Sequence, residues 1–319
     1  MLTLIGRKLI GLVPVIIAVS IITFGMMSLL PGDPAVQIAG TSATPEAIEA
    51  TREELGLNDP IPVRYWEWAT NALTGDLGRS AFTNQPVTES IQERLPVTFQ
   101  IMVVTLSMAL LVAIPLGVLV GYKSGTTLDR VVTALSFGLL SIPNFVIAIG
   151  LIIIFAVELG LFPATGWTKF TQDPIGSLRA TILPAAALAI GNVAVLTRLL
   201  RTDMIATLQE DHVVMARSKG IPTRRILFRH ALRPSSFSLM TVIGLQIAAL
   251  LSGTLIIESI FALPGLGGFL YKAILDRDFV VVQGVVLFLA VLYVFVNFAI
   301  DILYSFLDPR IRHGQRATA

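Results

Sequence analysis

The chain has no cysteine, only three histidines and little charge: Asp, Glu, Lys and Arg together make up 14% of its 319 residues. Lack of cysteine excludes disulfides, thiolate nucleophiles and Cys-ligated metals. His212, His230 and His313 are too few for a His-based metal cage. A soluble domain is typically about a quarter charged, so the shortage of charge sets this chain apart more than its 54% hydrophobic content does. A net charge of +2 gives no bulk attraction to nucleic acid. No Gly-x-x-x-x-Gly-Lys-Ser/Thr run occurs, so no phosphate-cradling nucleotide loop is encoded.

What the chain does have is six long apolar runs free of charge: Leu9–Leu30, Val97–Tyr122, Val131–Val157, Ala180–Thr197, Pro234–Ile257 and Phe279–Ile300. Each is near the ~17–25 residues that cross a bilayer's hydrocarbon core. Ala180–Thr197 is the shortest of them and the least secure as a span. Buried helices of a large soluble protein are the competing explanation, which six such runs make a poor one. The first run follows Arg7 and Lys8, as a signal peptide would. It exceeds the ~7–15 residues of a signal's apolar region and no small-x-small cleavage site follows, so it reads as a retained anchor. The expected fold is all-α: a polytopic membrane protein with six transmembrane helices.

Charge sets the expected orientation. With both termini in the cytoplasm, the inner segments hold 15 of the 23 Lys and Arg residues. Basic residues accumulate on the cytoplasmic side of membrane proteins. The densest cluster, Arg217, Lys219, Arg224, Arg225, Arg229 and Arg233, then lies inside.

The long outer segment Pro31–Pro96 opens with the turn Pro31-Gly32-Asp33-Pro34. Thr44-Pro45 predicts a helix start and Gly56 its stop. A second short helix is expected over Val63–Leu73, ending near Gly75. Its Tyr65, Trp66 and Trp68 either rest at the headgroup level or pack within an external subdomain. The outer run Phe261-Ala262-Leu263-Pro264-Gly265-Leu266-Gly267-Gly268 is expected to be a flexible apolar loop.

The segment Asp211–Pro234 carries the sharpest signal. Asp211 suits a helix N-terminus. Val213, Val214 and Ala216 give an apolar stripe, Gly220 breaks the helix and Pro222 delays its resumption. The expected product is a helix of two to three turns outside the bilayer. On physics alone it is either a basic interfacial helix fixing topology or a docking element. Polar residues within spans face a cavity or another helix: Asn144, Asn192, Gln246, Asn297 and Asp301 are the candidates, with Glu258 at an outer span end. Each amide is either a pore or gate residue or an interhelical bonding group. Asp301, near the inner end, is otherwise expected to meet headgroups or Arg198, and Glu258 either shapes the outer gate or is solvated at its helix end. Pro115, Pro143 and Pro184 are expected to kink their spans.

Ala216-x-x-x-Gly220 with Leu232 twelve residues on resembles the EAA loop of bacterial importer permeases. Val214 stands where that pattern has glutamate, and Arg233 where it has its last proline, which comes one residue later as Pro234. Leu30-Pro31-Gly32-Asp33-Pro34, Leu73-Thr74-Gly75-Asp76-Leu77-Gly78, Leu95-Pro96-Val97-Thr98, Ser141-Ile142-Pro143, Arg229-His230-Ala231-Leu232-Arg233, Glu258-Ser259-Ile260-Phe261 and Asp308-Pro309-Arg310 extend the resemblance over nearly the whole chain. It is similar to the first permease of dipeptide/oligopeptide ABC importers of the bacterial inner membrane, whose relatives also carry nickel and glutathione.

The resemblance implies a non-enzymatic subunit forming half of a pore. Its implied partners are a second, homologous permease, two ATP-binding subunits and an external substrate-binding protein, with no cofactor in this chain and ATP and Mg on the partners. Asp211, Val214, Ala216, Arg217, Lys219 and Gly220 would form a coupling helix seated on an ATPase. Pro264, Gly265, Leu266 and Gly267 would meet the binding protein. An ion-coupled secondary transporter is the competing function; it normally needs acids near the midplane, and the six runs contain no Asp or Glu. A membrane enzyme lacks any nucleophile–base or metal constellation here.

Overall fold

The computed structural model describes residues 2–29, 34–40, 43–54 and 56–307. In chain order the helices are α1 (Leu2–Leu29), α2 (Pro34–Ala39), α3 (Pro45–Glu54), α4 (Ile61–Leu73), α5 (Val87–Tyr122), α6 (Thr127–Leu140), α7 (Asn144–Leu151), α8 (Pro174–Thr207), α9 (Asp211–Ser218), α10 (Thr223–Arg225), α11 (Leu232–Gly253), α12 (Leu255–Ile260), α13 (Leu266–Leu275) and α14 (Phe279–Leu307). Wider π turns occupy Ile152–Glu158 and Ile226–Ala231. No strand occurs among the described residues, only an isolated bridge between Arg79 and Pro86. The turn at 30–33, the ending Asp308-Pro309-Arg310 and the side chain of Asp301 fall outside the described residues.

Four described helical stretches have the length and composition to cross a bilayer: Val87–Tyr122, Pro174–Thr207, Thr223–Leu251 and Phe279–Ile300. The third apolar run is not one straight rod. It forms α6 and α7, bent by 98° at the break before Asn144, where Pro143 adopts extended ψ and cannot continue a helix. Pro115 and Pro184, by contrast, lie inside helices that run on without interruption. In α1 the described apolar stretch is Gly11–Gly25.

The chain divides into two compact units, residues 1–96 with 265–319 and residues 97–264. In the first unit α1 packs along α14. The entry of α5, α13 and the start of α14 share a core of Val87, Ile91, Leu266, Ala273, Val281, Val282 and Val285. Asp278 accepts a 2.6 Å bond from Ser80 in this unit's interior. α3 starts and stops as the sequence predicts: Thr44 Oγ1 accepts from the Ala47 amide at 3.3 Å and Gly56 has φ +60°. α4 ends before Gly75, at φ +90°. Of its three aromatics, Tyr65 and Trp68 pack on Phe24 of α1, and Tyr65 shares a 2.8 Å bond with Ser20. Only Trp66 projects outward, 69% exposed.

In the second unit α8 is the central helix, packed by α6, α7 and α11. The run read as the least secure span is thus the middle of a 34-residue helix. Its modest hydropathy has a packing cause. Ala185, Ala187, Ala189 and Ala194 are buried, and small residues let membrane helices approach closely where lipid supplies no hydrophobic drive. Gln100 of α5 donates to Ser177 and Thr181 of α8, both at 3.0 Å.

Candidate functional site

α9 spans eight residues and begins one residue earlier than a cap at Asp211 requires. Glu210 takes the N-cap position without a side-chain bond, and Asp211 is the first helical residue. Its carboxylate still sits at the positive helix end. The C-terminus closes as a Schellman motif. Gly220 stands at φ +70°, its amide bonds to Arg217 O at 2.9 Å, and the Ile221 amide reaches Ala216 O at 3.2 Å. The helix therefore cannot lengthen into the following segment.

The predicted apolar stripe splits between two faces. Val213 and Ala216 are buried in a core shared with Leu200, Met204 and Leu208 of the α8 end, and with Ile226 and Ala231. Val214 and Met215 point the other way, 50% and 57% exposed. Arg217, Lys219, Arg224, Arg225, Arg229 and Arg233 are all exposed. Beyond Pro222 the chain turns helical again at Thr223, well before the predicted span start at Pro234. Four of the basic residues therefore ride on a helical extension of the span. Pro234 has no amide to give the carbonyl four residues back, His230 O. That carbonyl faces His212 Nε2 of α9 at 3.3 Å, while His212 Nδ1 lies 3.1 Å from Glu210. α9 is thus tied at its start to the turn it folds back on.

The polar candidates of the spans fare differently. Asn192 is buried and donates to its own helix at Leu188 O, 2.9 Å away, and Asn297 does the same to Tyr293 O at 3.0 Å. Asn144 is exposed at the start of α7, and Gln246 is half-buried in α11. Two of these four amides thus bond within their own helix. Glu258 is not a solvated helix end. It is fully buried in α12, and its Oε1 accepts from Thr98 of α5 and from Thr254, each at 2.8 Å. The expectation of a flexible 261–268 loop is also corrected. α13 begins at Leu266, and Leu263, Gly265, Leu266 and Gly267 are buried, leaving Pro264 exposed. Leu263 and Leu266, which proline and glycines made look like loop residues, belong to the core.

Sequence reasoning passed over Asp129 and Arg201. Arg201 Nε and Nη2 meet Asp129 Oδ1 and Oδ2 at 2.5 and 2.7 Å. No local spacing signals a pair 72 residues apart.

Comparison with known proteins decides the family. Residues 113–313 match the model of the binding-protein-dependent transport system inner membrane component, and residues 1–102 match the N-terminal model of the same kind of membrane component. The chain belongs to this permease family. It is 43% identical over 313 residues to a Brucella abortus chain with the provisional name of peptide transport system permease protein, covering 98% of this chain and 100% of that one. The oligopeptide transport system permease protein of Bacillus subtilis is 36% identical, with 96% and 98% covered. The glutathione transport system permease protein of Pectobacterium atrosepticum is 34% identical over the same shares. The permease is accordingly a membrane protein, and four of its described helical stretches have the length and composition of spans.

Proposed function

We infer that this permease forms half of the pore of an ATP-driven importer of di- or oligopeptides, and that α9 is where an ATP-binding partner takes hold. The observation that carries the reading is the two-sidedness of α9. One face is fastened into the permease's own core through Val213 and Ala216, and the other offers Val214 and Met215 beside exposed basic residues. A rod fixed on one side and bare on the other transmits a push as rigid-body motion. A recess of about 310 Å³ beside Arg217 and Tyr122 gives room for a partner side chain.

ATP and Mg belong on two partner subunits, since this sequence carries no phosphate loop. A second, homologous permease completes the pore, and an external binding protein delivers substrate. Both termini and α9 face the cytoplasm, by the bias of basic residues. Asp211, Arg217, Lys219 and Gly220 shape and charge the docking helix, whereas Ala216 holds it to its base. Among the span candidates, Asn144, Gln246 and Asn297 remain the pore-facing choices. Of Pro264, Gly265, Leu266 and Gly267, the exposed Pro264 is the candidate for meeting the binding protein. Peptide is the substrate class favoured by the names of the relatives, and glutathione, itself a small peptide, follows from one of them.

The test is reconstitution of the assembled transporter in liposomes with Val214→Asp combined with Met215→Asp. Uptake is expected to fall at least tenfold while the subunits remain inserted and the chain keeps its melting temperature. Uptake that needs neither ATP nor the binding protein would end the importer reading. Normal coupled uptake in the double variant would return α9 to the role of a topology-fixing helix. Competition for the cognate binding protein by di-, tri- and longer peptides then defines the substrate.

A further inference from the structure

The ion pair of Asp129 and Arg201 sits at a mechanical junction, and its surroundings show what it joins. α8 and α9 are separated by only Leu208, Gln209 and Glu210, whose amides bond back to Met204, Ala206 and Thr207 at 2.9, 3.1 and 3.1 Å. Val213 and Ala216 of α9 share a core with Leu200, Met204 and Leu208. The end of α8 and all of α9 therefore form one stiff block, and Arg201 belongs to it.

On the other side of the pair lies the turn between α5 and α6. The Asp129 side chain is 4% exposed. Besides both guanidinium bonds, it accepts from the Gly125 amide at 2.9 Å and Thr133 Oγ1 at 3.4 Å. The turn itself is capped by Thr126 onto the Asp129 amide at 3.5 Å. The last turns of α5 lie flush against the same block. A Cβ on Gly117 would come within 2.9 Å of Leu200, and one on Gly121 within 2.7 Å of Met204. Beyond Asp129, α6 runs to the break at Ser141–Pro143, where the chain bends by 98° into α7.

A bidentate guanidinium–carboxylate contact fixes orientation as well as distance, which a lysine cannot do. We propose that Asp129 and Arg201 are positioning residues of the transport cycle: their pair locks the α5–α6 turn to the α8–α9 block, so that displacement of α9 swings α6 about the Ser141–Pro143 break. This rests on α9 being the docking helix of the importer.

The experiment uses the full assembled transporter in liposomes, with Asp129→Asn, Arg201→Gln, Arg201→Lys and the double variant Asp129→Asn/Arg201→Gln. Uptake, binding-protein-stimulated ATP hydrolysis, subunit assembly and melting temperature are read on each. Asp129→Asn and Arg201→Gln are expected to lower substrate moved per ATP at least tenfold, with hydrolysis within twofold of normal. Arg201→Lys keeps the charge without the fork and falls between. The double variant should lose no more than either single one, because paired groups are not additive.

Normal substrate moved per ATP in Asp129→Asn and Arg201→Gln overturns the proposal. So does a parallel loss of hydrolysis, assembly and melting temperature in all four variants, which makes the pair a folding contact only. Val214→Asp/Met215→Asp run alongside separates the two levels. If that variant uncouples and the ion-pair variants do not, only the present inference falls. If it too transports normally, the docking role of α9 has failed.

Discussion

At Gly121 a methyl group has no room: its Cβ would lie 2.7 Å from Met204 Cβ and 3.3 Å from the Arg201 carbonyl oxygen. Neither neighbour is the free end of a flexible chain. Gly121→Ala is therefore expected to cost ~1–3 kcal/mol through overpacking, read as a lower melting temperature of the purified permease in detergent. Gly138 in α6 meets nothing within 4 Å. Gly138→Ala should be neutral or stabilising by up to about 1 kcal/mol from helix propensity alone; equal losses at the two sites would refute the packing account. Glu258 makes the same point with hydrogen bonds. Thr98 and Thr254 both donate to one of its oxygens in a fully buried setting. Glu258→Ala removes that shared acceptor, and a buried unsatisfied polar group costs ~1–3 kcal/mol. Glu258→Gln retains a carbonyl oxygen of similar shape and should lose less. A melting temperature unchanged in Glu258→Ala would show that the carboxylate bears none of this packing.

α9 shows how far local sequence reaches at the scale of an element. Its length, its stop at Gly220 and its basic flank follow from capping, glycine and charge, all readable within a dozen residues. Gly220 at φ +70° predicts that Gly220→Ala pays ~1–2 kcal/mol for a left-handed residue and frays the helix, lowering coupled uptake severalfold. Gly220→Asn should recover part of the loss, since asparagine tolerates that conformation. An alanine variant as active as wild type would mean that the Schellman closure does not set the geometry of α9. What the sequence hid lies in pairings between elements. The split of Val213 and Ala216 from Val214 became visible only with the α8 end in place. α8 looked weak because hydropathy scores lipid exposure, and its alanines answer to protein neighbours. Leu263 and Leu266 looked like loop residues because proline and glycines surround them, while burial made Leu266 the start of a helix. Asp129 and Arg201 were both in view, yet nothing between them hinted that they meet.

For the whole molecule the decisive asymmetry is charge, and the absence of cysteine makes it directly testable. If 15 of the 23 basic residues lie inside, the membrane holds the 217–233 cluster in the cytoplasm by the same bias that sorts loops during insertion. Thr83 and Ser218 are both exposed, the first in the long segment after α4 and the second in α9. Since the chain has no cysteine of its own, Thr83→Cys and Ser218→Cys each give a single thiol. A membrane-impermeant maleimide added to intact cells is expected to label the Thr83→Cys variant and spare Ser218→Cys, which should react only in inside-out vesicles. The reverse pattern would put α9 outside, away from any cytoplasmic ATPase, and with it the proposed drive to the pore would be lost. Labelling of both in intact cells would mean that the segment between these positions crosses the membrane an even number of times, against the odd number that the α5 span, the bent α6–α7 pair and α8 together require.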